Sequence, residues 1–117
     1  MSKRDSSVPL RHMLDHAREV ISLVVGRSRS DLDSDRMLNL SLVRLLEVIG
    51  EAARRVPAEV QARHPQLPWA RLIGLRNRLI HGYDQVDMDI LWQIASADAP
   101  ALLDQIEAVL AQEGTGE

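Results

Sequence analysis

The sequence predicts an all-α fold, a bundle of four to five helices, from three observations. Apolar residues recur at intervals of three and four, and the period-two alternation of β-strands is missing. The apolar 45% of the chain consists mainly of Leu, Val, Ile and Ala, and aromatic residues make up only 3%. A chain of 117 residues has room for one core of ordinary domain size. We therefore expect one helical domain at 9–111, flanked by flexible ends at 1–8 and 112–117.

The first half of the chain predicts two long helices. The first begins near Pro9, because proline suits the first helical position, and it ends at Gly26. The second follows the acidic segment 31–35 and is stopped by Pro57. Its apolar positions form two sets, which indicates a helix that is central to the core, shared with a second subunit, or both. The second set comprises Met37, Leu40, Val43, Leu46 and Ala53.

Prolines and one glycine divide the second half of the chain into shorter helices. Pro68 opens a long helix, and Gly82 lies just past its end as a stop signal. Asp87 is placed to cap the next helix, and a break is predicted at Asp98 and Pro100. The expected elements are a short helix at 58–63, a long helix from Trp69 to about His81, a helix after Asp87 and a last helix at 101–111.

The bulk composition excludes a membrane-spanning protein and a disulfide-bonded protein, and it disfavours a protein that binds nucleic acid. No run of about 18 apolar residues is present, which excludes a membrane span, and the polar start leads into no apolar segment of a secretory signal. The absence of cysteine excludes disulfides and thiolate sites and favours a cytoplasmic protein. Three aromatic residues are too few for platforms that stack RNA bases, and a net charge of -3 argues against broad binding of phosphate.

The distribution of charge along the chain, in contrast to the net charge, favours binding of phosphate. Segment 52–82 contains six arginines and one glutamate, a net of +5, so an overall charge of -3 leaves -8 for the other residues. The segment contains no lysine, and the planar fork of arginine suits phosphate better than a general solubilising role requires. A solvated helix face with chance clustering of charge is the alternative interpretation.

The same segment ends in Arg76-Asn77-Arg78-Leu79-Ile80-His81. Asn77 and His81 are four residues apart, so the amide can hydrogen-bond the imidazole on one helix face. Histidine can move a proton at a ribose 2′-hydroxyl, and arginine can stabilise the charge on the attacked phosphate. Arg76 lies about 140° from His81 around a continuous helix. The two can meet on one phosphate only if the helix loosens or if two chains share the site. An exposed arginine near a structural histidine remains the alternative.

Two segments carry a resemblance to a known family. Leu-Glu-x-Ile-Gly-Glu-Ala at 46–52 and Arg-Asn-x-x-x-His-x-Tyr at 76–83, in that order and at that separation, resemble the HepT-like family of HEPN-domain proteins. The resemblance covers roughly 9–110. It implies a homodimeric helical bundle that acts as the ribonuclease toxin of a toxin–antitoxin system, cleaves RNA without a metal or cofactor, and is paired with a small nucleotidyltransferase antitoxin.

The resemblance also implies roles for individual residues. Arg76, Asn77 and His81 would line the catalytic site in a cleft between two subunits, and Tyr83 would accept AMP from the antitoxin. A non-catalytic module that binds a nucleotide or a partner is the second hypothesis, because HEPN domains are known in both roles. Without the resemblance, a packing role for Tyr83 would be preferred.

The remaining candidates are weaker. Arg78, Glu47 and Glu51 are candidates for supporting the site or binding RNA; the two acids could hold a metal, but an ion pair that orients Arg76 or Arg78 across the bundle is the preferred interpretation. His12 and His16 have the spacing of zinc ligands on one helix face, but no third ligand is evident. His64, which precedes a proline, is expected on a loop surface, and the two tryptophans are expected to pack in the core or an interface.

Overall fold

The computed structural model describes residues 6–81 and 87–114, except for the side chains at 80, 81 and 114. These residues form helices joined by short connections and contain no strand, which confirms the predicted all-α class. Within the same ranges, no helix combines the length and apolar character that a membrane span requires. The elements are α1 (Ser7–Val24), α2 (Asp31–Ser34), α3 (Arg36–Arg55), α4 (Ala58–Arg63), α5 (Trp69–His81), α6 (Met88–Gln93), a π-helical segment (Ile94–Asp98) and α7 (Ala99–Gly114).

Helices α1 and α3 form the centre of the bundle. They pack against each other, α5 packs against α3, and α7 packs against α1. The central pair buries Leu10, Met13, Leu42 and Ile49 completely or almost completely. Because α5 packs mainly against α3, the position of α5 depends chiefly on that one contact.

The two apolar sets predicted on α3 have different environments. Leu46 and Ala53 of the second set are buried, whereas Met37 is 78% exposed and Leu40 is 46% exposed. The second apolar set is therefore buried in the C-terminal half of this helix and exposed near its start. The first turns of the helix carry two large apolar side chains into solvent, which leaves the prediction of a second subunit open.

Side-chain caps and one glycine define several helix ends. Asp35 accepts a hydrogen bond from the backbone N–H of Leu38 at the start of α3. Asp87 caps α6, as predicted, by accepting from the N–H groups of residues 89 and 90. Gly26 has a φ of +75° just after α1, a conformation that favours glycine after a helix end. The predicted limits of α4 and α5 are confirmed.

The predicted break at Asp98 and Pro100 is wrong. The chain continues from α6 through the π-helical segment into α7. In a regular α-helix the ring of Pro100 would clash with the carbonyl of residue 96. The wider π-helical turn directly precedes this proline and offers an alternative to a break. Helix α7 also extends to Gly114, beyond the expected end at 111, and α1 begins at Ser7, two residues before Pro9.

Candidate active site at the crossing of α3 and α5

The two segments that carry the resemblance meet where α3 crosses α5. A Cβ atom at Gly50 would lie 2.3 Å from Cβ of Arg76 and 2.6 Å from the backbone oxygen of Leu72. Only glycine permits so close an approach of the two helices. Gly50 therefore brings its neighbour Glu51 within reach of Arg76, so the two segments contribute to one site.

Glu51 and Arg76 form an ion pair at this crossing. Nη2 of Arg76 lies 2.9 Å from Oε1 of Glu51, and the side chains are 21% and 25% exposed, respectively. Among the described residues, neither Nε of Arg76 nor Oε1 of Glu51 has a well-aligned hydrogen bond. The pair is therefore held mainly by charge and distance, and Arg76 keeps an N–H donor that no described group uses.

Two further arginines share the carboxylate of Glu51. Arg54 and Arg55 lie 3.0 and 3.3 Å from its second oxygen. The hydrogen bond from Arg54 and the charges of Arg54, Arg76 and Arg55 lower the pKa of Glu51 below its ordinary value. Glu51 is consequently ionised at neutral pH. Three guanidinium groups around one carboxylate leave an excess of positive charge at the crossing.

Asn77 contacts Arg76 directly. Its Oδ1 accepts a hydrogen bond of 2.7 Å from Nη1 of Arg76. Arg76 is thus fixed from two sides, by Glu51 on α3 and by its own neighbour on α5. The predicted hydrogen bond between Asn77 and His81 involves a side chain outside the described set, so that contact stays a prediction.

The last residues of the second segment are only partly described. The backbone of His81 completes α5, and Tyr83 lies outside the described residues. Positions 77 and 81 share a face of α5, since they are about 40° apart at 100° per residue. Arg76 faces α3, about 140° from position 81, so the straight helix of one chain does not bring this guanidinium and position 81 to one face.

Glu47 has a different partner from Glu51. Its Oε1 lies 2.6 Å from Nη1 of Arg44 on the same helix. The predicted ion pair with Arg76 across the bundle therefore fits Glu51, whereas Glu47 pairs within α3. Within the described ranges, no three or more side chains of the metal-ligating types cluster. Nδ1 of His16 lies 2.7 Å from the backbone oxygen of His12.

The six arginines of segment 52–82 fall into two groups. Four contact carboxylates, three of them at Glu51, and Arg63 pairs with Glu113 at 2.7 Å. Arg71 and Arg78 are exposed and have no ion-pair partner in the described part of the chain. The net charge of +5 therefore suggested more unpaired arginines than the described part of this segment contains.

Arg71 and Arg78 line a groove between α5 and the α6–α7 region. The groove has a volume of about 730 Å³. Leu46 and Ile49 of α3 also line it, and Ile90 and Ile94 belong to the opposite wall. Sequence reasoning overlooked Arg71 as a candidate, although its seven-residue spacing from Arg78 could have placed both on one face.

The prediction of His64 on a loop surface is wrong. His64 is only 3% exposed, and its Nε2 lies 2.6 Å from Oε2 of Glu113 at the end of α7. Its backbone oxygen accepts a hydrogen bond of 2.9 Å from the indole of Trp69. No local signal could reveal this contact, because the partner carboxylate lies 49 residues away.

Comparison with known proteins finds similarity over most of the chain. A family model described as "Ribonuclease HepT-like" matches residues 13–109. The chain is 35% identical over 109 residues to "Putative RNase MJ1380" of Methanocaldococcus jannaschii, covering 93% of this chain and 100% of that protein. It is 36% identical to "Putative RNase TTE0752" of Caldanaerobacter subterraneus, covering 89% and 93%. It is 33% identical to "Probable ribonuclease HepT" of Thermococcus cleftensis, covering 80% and 89%. No solved structure matches the chain.

Proposed function

Since the chain belongs to the HepT-like ribonuclease family, we propose that it is the endoribonuclease toxin of a toxin–antitoxin pair. The observation that carries the proposal is the crossing at Gly50, which joins the two segments and fixes Arg76 between Glu51 and Asn77. The excess of guanidinium groups at this crossing attracts a phosphodiester. The absence of cysteine favours the cytoplasm as the place where the protein acts.

The proposed reaction needs no metal. One imidazole at position 81 takes the proton from a ribose 2′-hydroxyl, whose oxygen then attacks the adjacent phosphorus. Arg76 stabilises the charge that develops on the phosphate oxygens. The bond to the 5′-oxygen breaks, and this oxygen receives a proton from a second, protonated imidazole. The products are a 2′,3′-cyclic phosphate and a 5′-hydroxyl.

A homodimer would supply the second imidazole that the reaction needs, together with a second Arg76. The reaction uses an imidazole as a base and another as an acid, but each chain has one histidine in the motif. Arg76 also faces about 140° away from position 81 on its own helix. A second copy places a second Arg76 and His81 in the same cleft. The exposed Met37 and Leu40 provide apolar surface that a second subunit could cover.

The proposed partner is a nucleotidyltransferase antitoxin that transfers AMP to Tyr83. The transfer would bring a phosphate to a position two residues from His81, where it would compete with RNA for the guanidinium groups. The support for this step is the resemblance together with the excess of positive charge around Glu51. Co-expression should yield protein whose intact mass is raised by one or more AMP units, and Tyr83→Phe should abolish the increase.

The ribonuclease proposal is tested with a labelled RNA oligonucleotide in the presence of EDTA. The wild-type protein should release a product with a 2′,3′-cyclic phosphate, and His81→Ala should lower the rate by about a hundredfold to ten-thousandfold. The matched control is His12→Ala, which removes an exposed histidine from α1 and should retain the rate. Undiminished cleavage by a dimeric His81→Ala protein would refute the proposed chemistry. RNA or nucleotide binding by a wild-type protein that never cleaves would favour the non-catalytic module.

A further inference from the structure

We propose that the groove between α5 and α6–α7 is a binding track for single-stranded RNA, in which Arg71 and Arg78 hold phosphates on one side of the cleavage site. The proposal rests on the ribonuclease function for its choice of ligand. It adds a site for nucleotides that do not react, separate from the crossing of α3 and α5.

Two cations line this groove without a carboxylate partner in the described part of the chain. Arg71 and Arg78 are exposed and, across the described ranges, neither contacts a carboxylate. The other four arginines of the same segment are held by Glu51 or Glu113. Because neither is paired with a carboxylate among the described residues, no ion pair of that part of the chain has to be broken when these two guanidinium groups bind phosphate.

The spacing of the two arginines suits a strand rather than a single small anion. Residues seven apart lie on almost the same face of an α-helix and about 10.5 Å apart along its axis. That distance corresponds to about three nucleotides of a stacked strand, at about 3.4 Å each. Gly74 lies between them on α5, and a methyl group there would meet no atom within 4 Å. The wall between the two cations is therefore open to a phosphate backbone.

The opposite wall determines which way the strand faces. Ile90 is 51% exposed, and Gln93 and Gln105 also line the groove. The acids on that side are Asp89, which lies 2.6 Å from Nε of Arg29, and Asp98. Carboxylates repel phosphate, whereas apolar and amide groups accept bases. The phosphates accordingly lie against α5, and the bases lie towards α6 and α7.

The track leads to the proposed catalytic position. Arg78 precedes position 81 by three residues, about 60° around the helix and about 4.5 Å along its axis. Arg71 lies about 15 Å from position 81 along the same axis. A strand bound by both arginines would therefore run along α5 towards its catalytic end, with Arg71 contacting a nucleotide several steps from the scissile bond.

The test measures binding rather than cleavage, so that it does not depend on the chemistry. A fluorescent 12-nucleotide RNA is titrated with wild-type protein and with Arg71→Gln, Arg78→Gln and the double variant over a range of salt concentrations. Each lost phosphate contact should reduce the slope of log K against log salt by about 0.7, which is about a fivefold loss of affinity at 0.1 M salt. The double variant should show a reduction of this slope about twice as large as that of either single variant.

The matched control is Arg11→Gln, which removes an exposed arginine on α1, outside the groove, and should bind RNA as the wild type does. Unchanged slopes in the Arg71→Gln and Arg78→Gln proteins would overturn the track even if the wild type cleaves RNA. Conversely, a wild type that binds with the expected slopes but never cleaves would leave the track standing and refute the ribonuclease. If Arg71→Gln leaves RNA affinity unchanged and instead weakens the dimer in light scattering, or weakens antitoxin binding, the groove is a protein interface and the proposal fails.

Discussion

Replacing Gly50 with alanine tests how the crossing of α3 and α5 builds the site. The new methyl carbon would start 2.3 Å from Cβ of Arg76 and 2.6 Å from the backbone oxygen of Leu72. Carbon atoms pack best at about 3.5–4.0 Å, so an adjustment of more than about 1 Å is required. Because one obstacle is backbone, α5 itself must move. Overpacking of this kind costs about 1–3 kcal/mol, and the better helix propensity of alanine returns about 1 kcal/mol.

Gly74→Ala provides the matched control for this substitution. It makes the same chemical change inside a helix, where the added carbon meets nothing within 4 Å. We expect it to stabilise the fold by up to about 1 kcal/mol. The melting temperatures of the two variants, followed by circular dichroism, should then differ by roughly 10 °C, with Gly50→Ala the lower. If Gly50→Ala melts at or above Gly74→Ala, the close crossing is not a constraint and the proposed positioning of Arg76 is refuted.

Two further predictions concern carboxylates. Glu51→Gln removes the negative charge that holds Arg76, so steady-state cleavage of RNA should show a larger fall in kcat than rise in KM; a change in KM alone would contradict a positioning role. Glu113, whose pKa is lowered to about 2 chiefly by the hydrogen bond from Arg63, stabilises the fold fully above its unfolded pKa of about 4.5 and progressively less as pH falls towards 2. Glu113→Gln should therefore cost about 1–3 kcal/mol in urea unfolding at pH 7 and almost nothing near pH 2; an equal loss at both would contradict the ion pair.

Local signals in the sequence were sufficient for most helix limits. Pro68 and Gly82 bracket α5, and Pro57 precedes α4, so the predicted limits of both helices match the structure. Proline and glycine act on the residues next to them, and such effects can be predicted without a tertiary structure. Pro100 shows the limit of this reasoning, since a π-helical turn and a broken helix present the same local sequence.

Contacts between distant segments could not be predicted in this way. Glu113 is 50 residues from Arg63 and 49 from His64, and nothing at those positions indicates that they meet. The sequence did show that both glutamates of segment 46–52 were candidates for an ion pair with an arginine. It could not show that Gly50 brings α5 close enough for Glu51 to reach Arg76, whereas Glu47 pairs within its own helix.

The angular order of residues on α5 connects the two proposals. At about 100° per residue, a path around the helix from Arg76 meets Asn77 first, then position 81 and finally Arg78, with Arg71 close to the same line as Arg78. The face shared by positions 77 and 81 is therefore flanked by positive charge on both sides. One flank is the guanidinium cluster around Glu51, and the other consists of Arg71 and Arg78, which line the groove. A phosphodiester attracted to either flank comes to lie beside the proposed catalytic face. A segment with a net charge of +5 can therefore attract RNA to this face, although the chain as a whole has a net charge of -3.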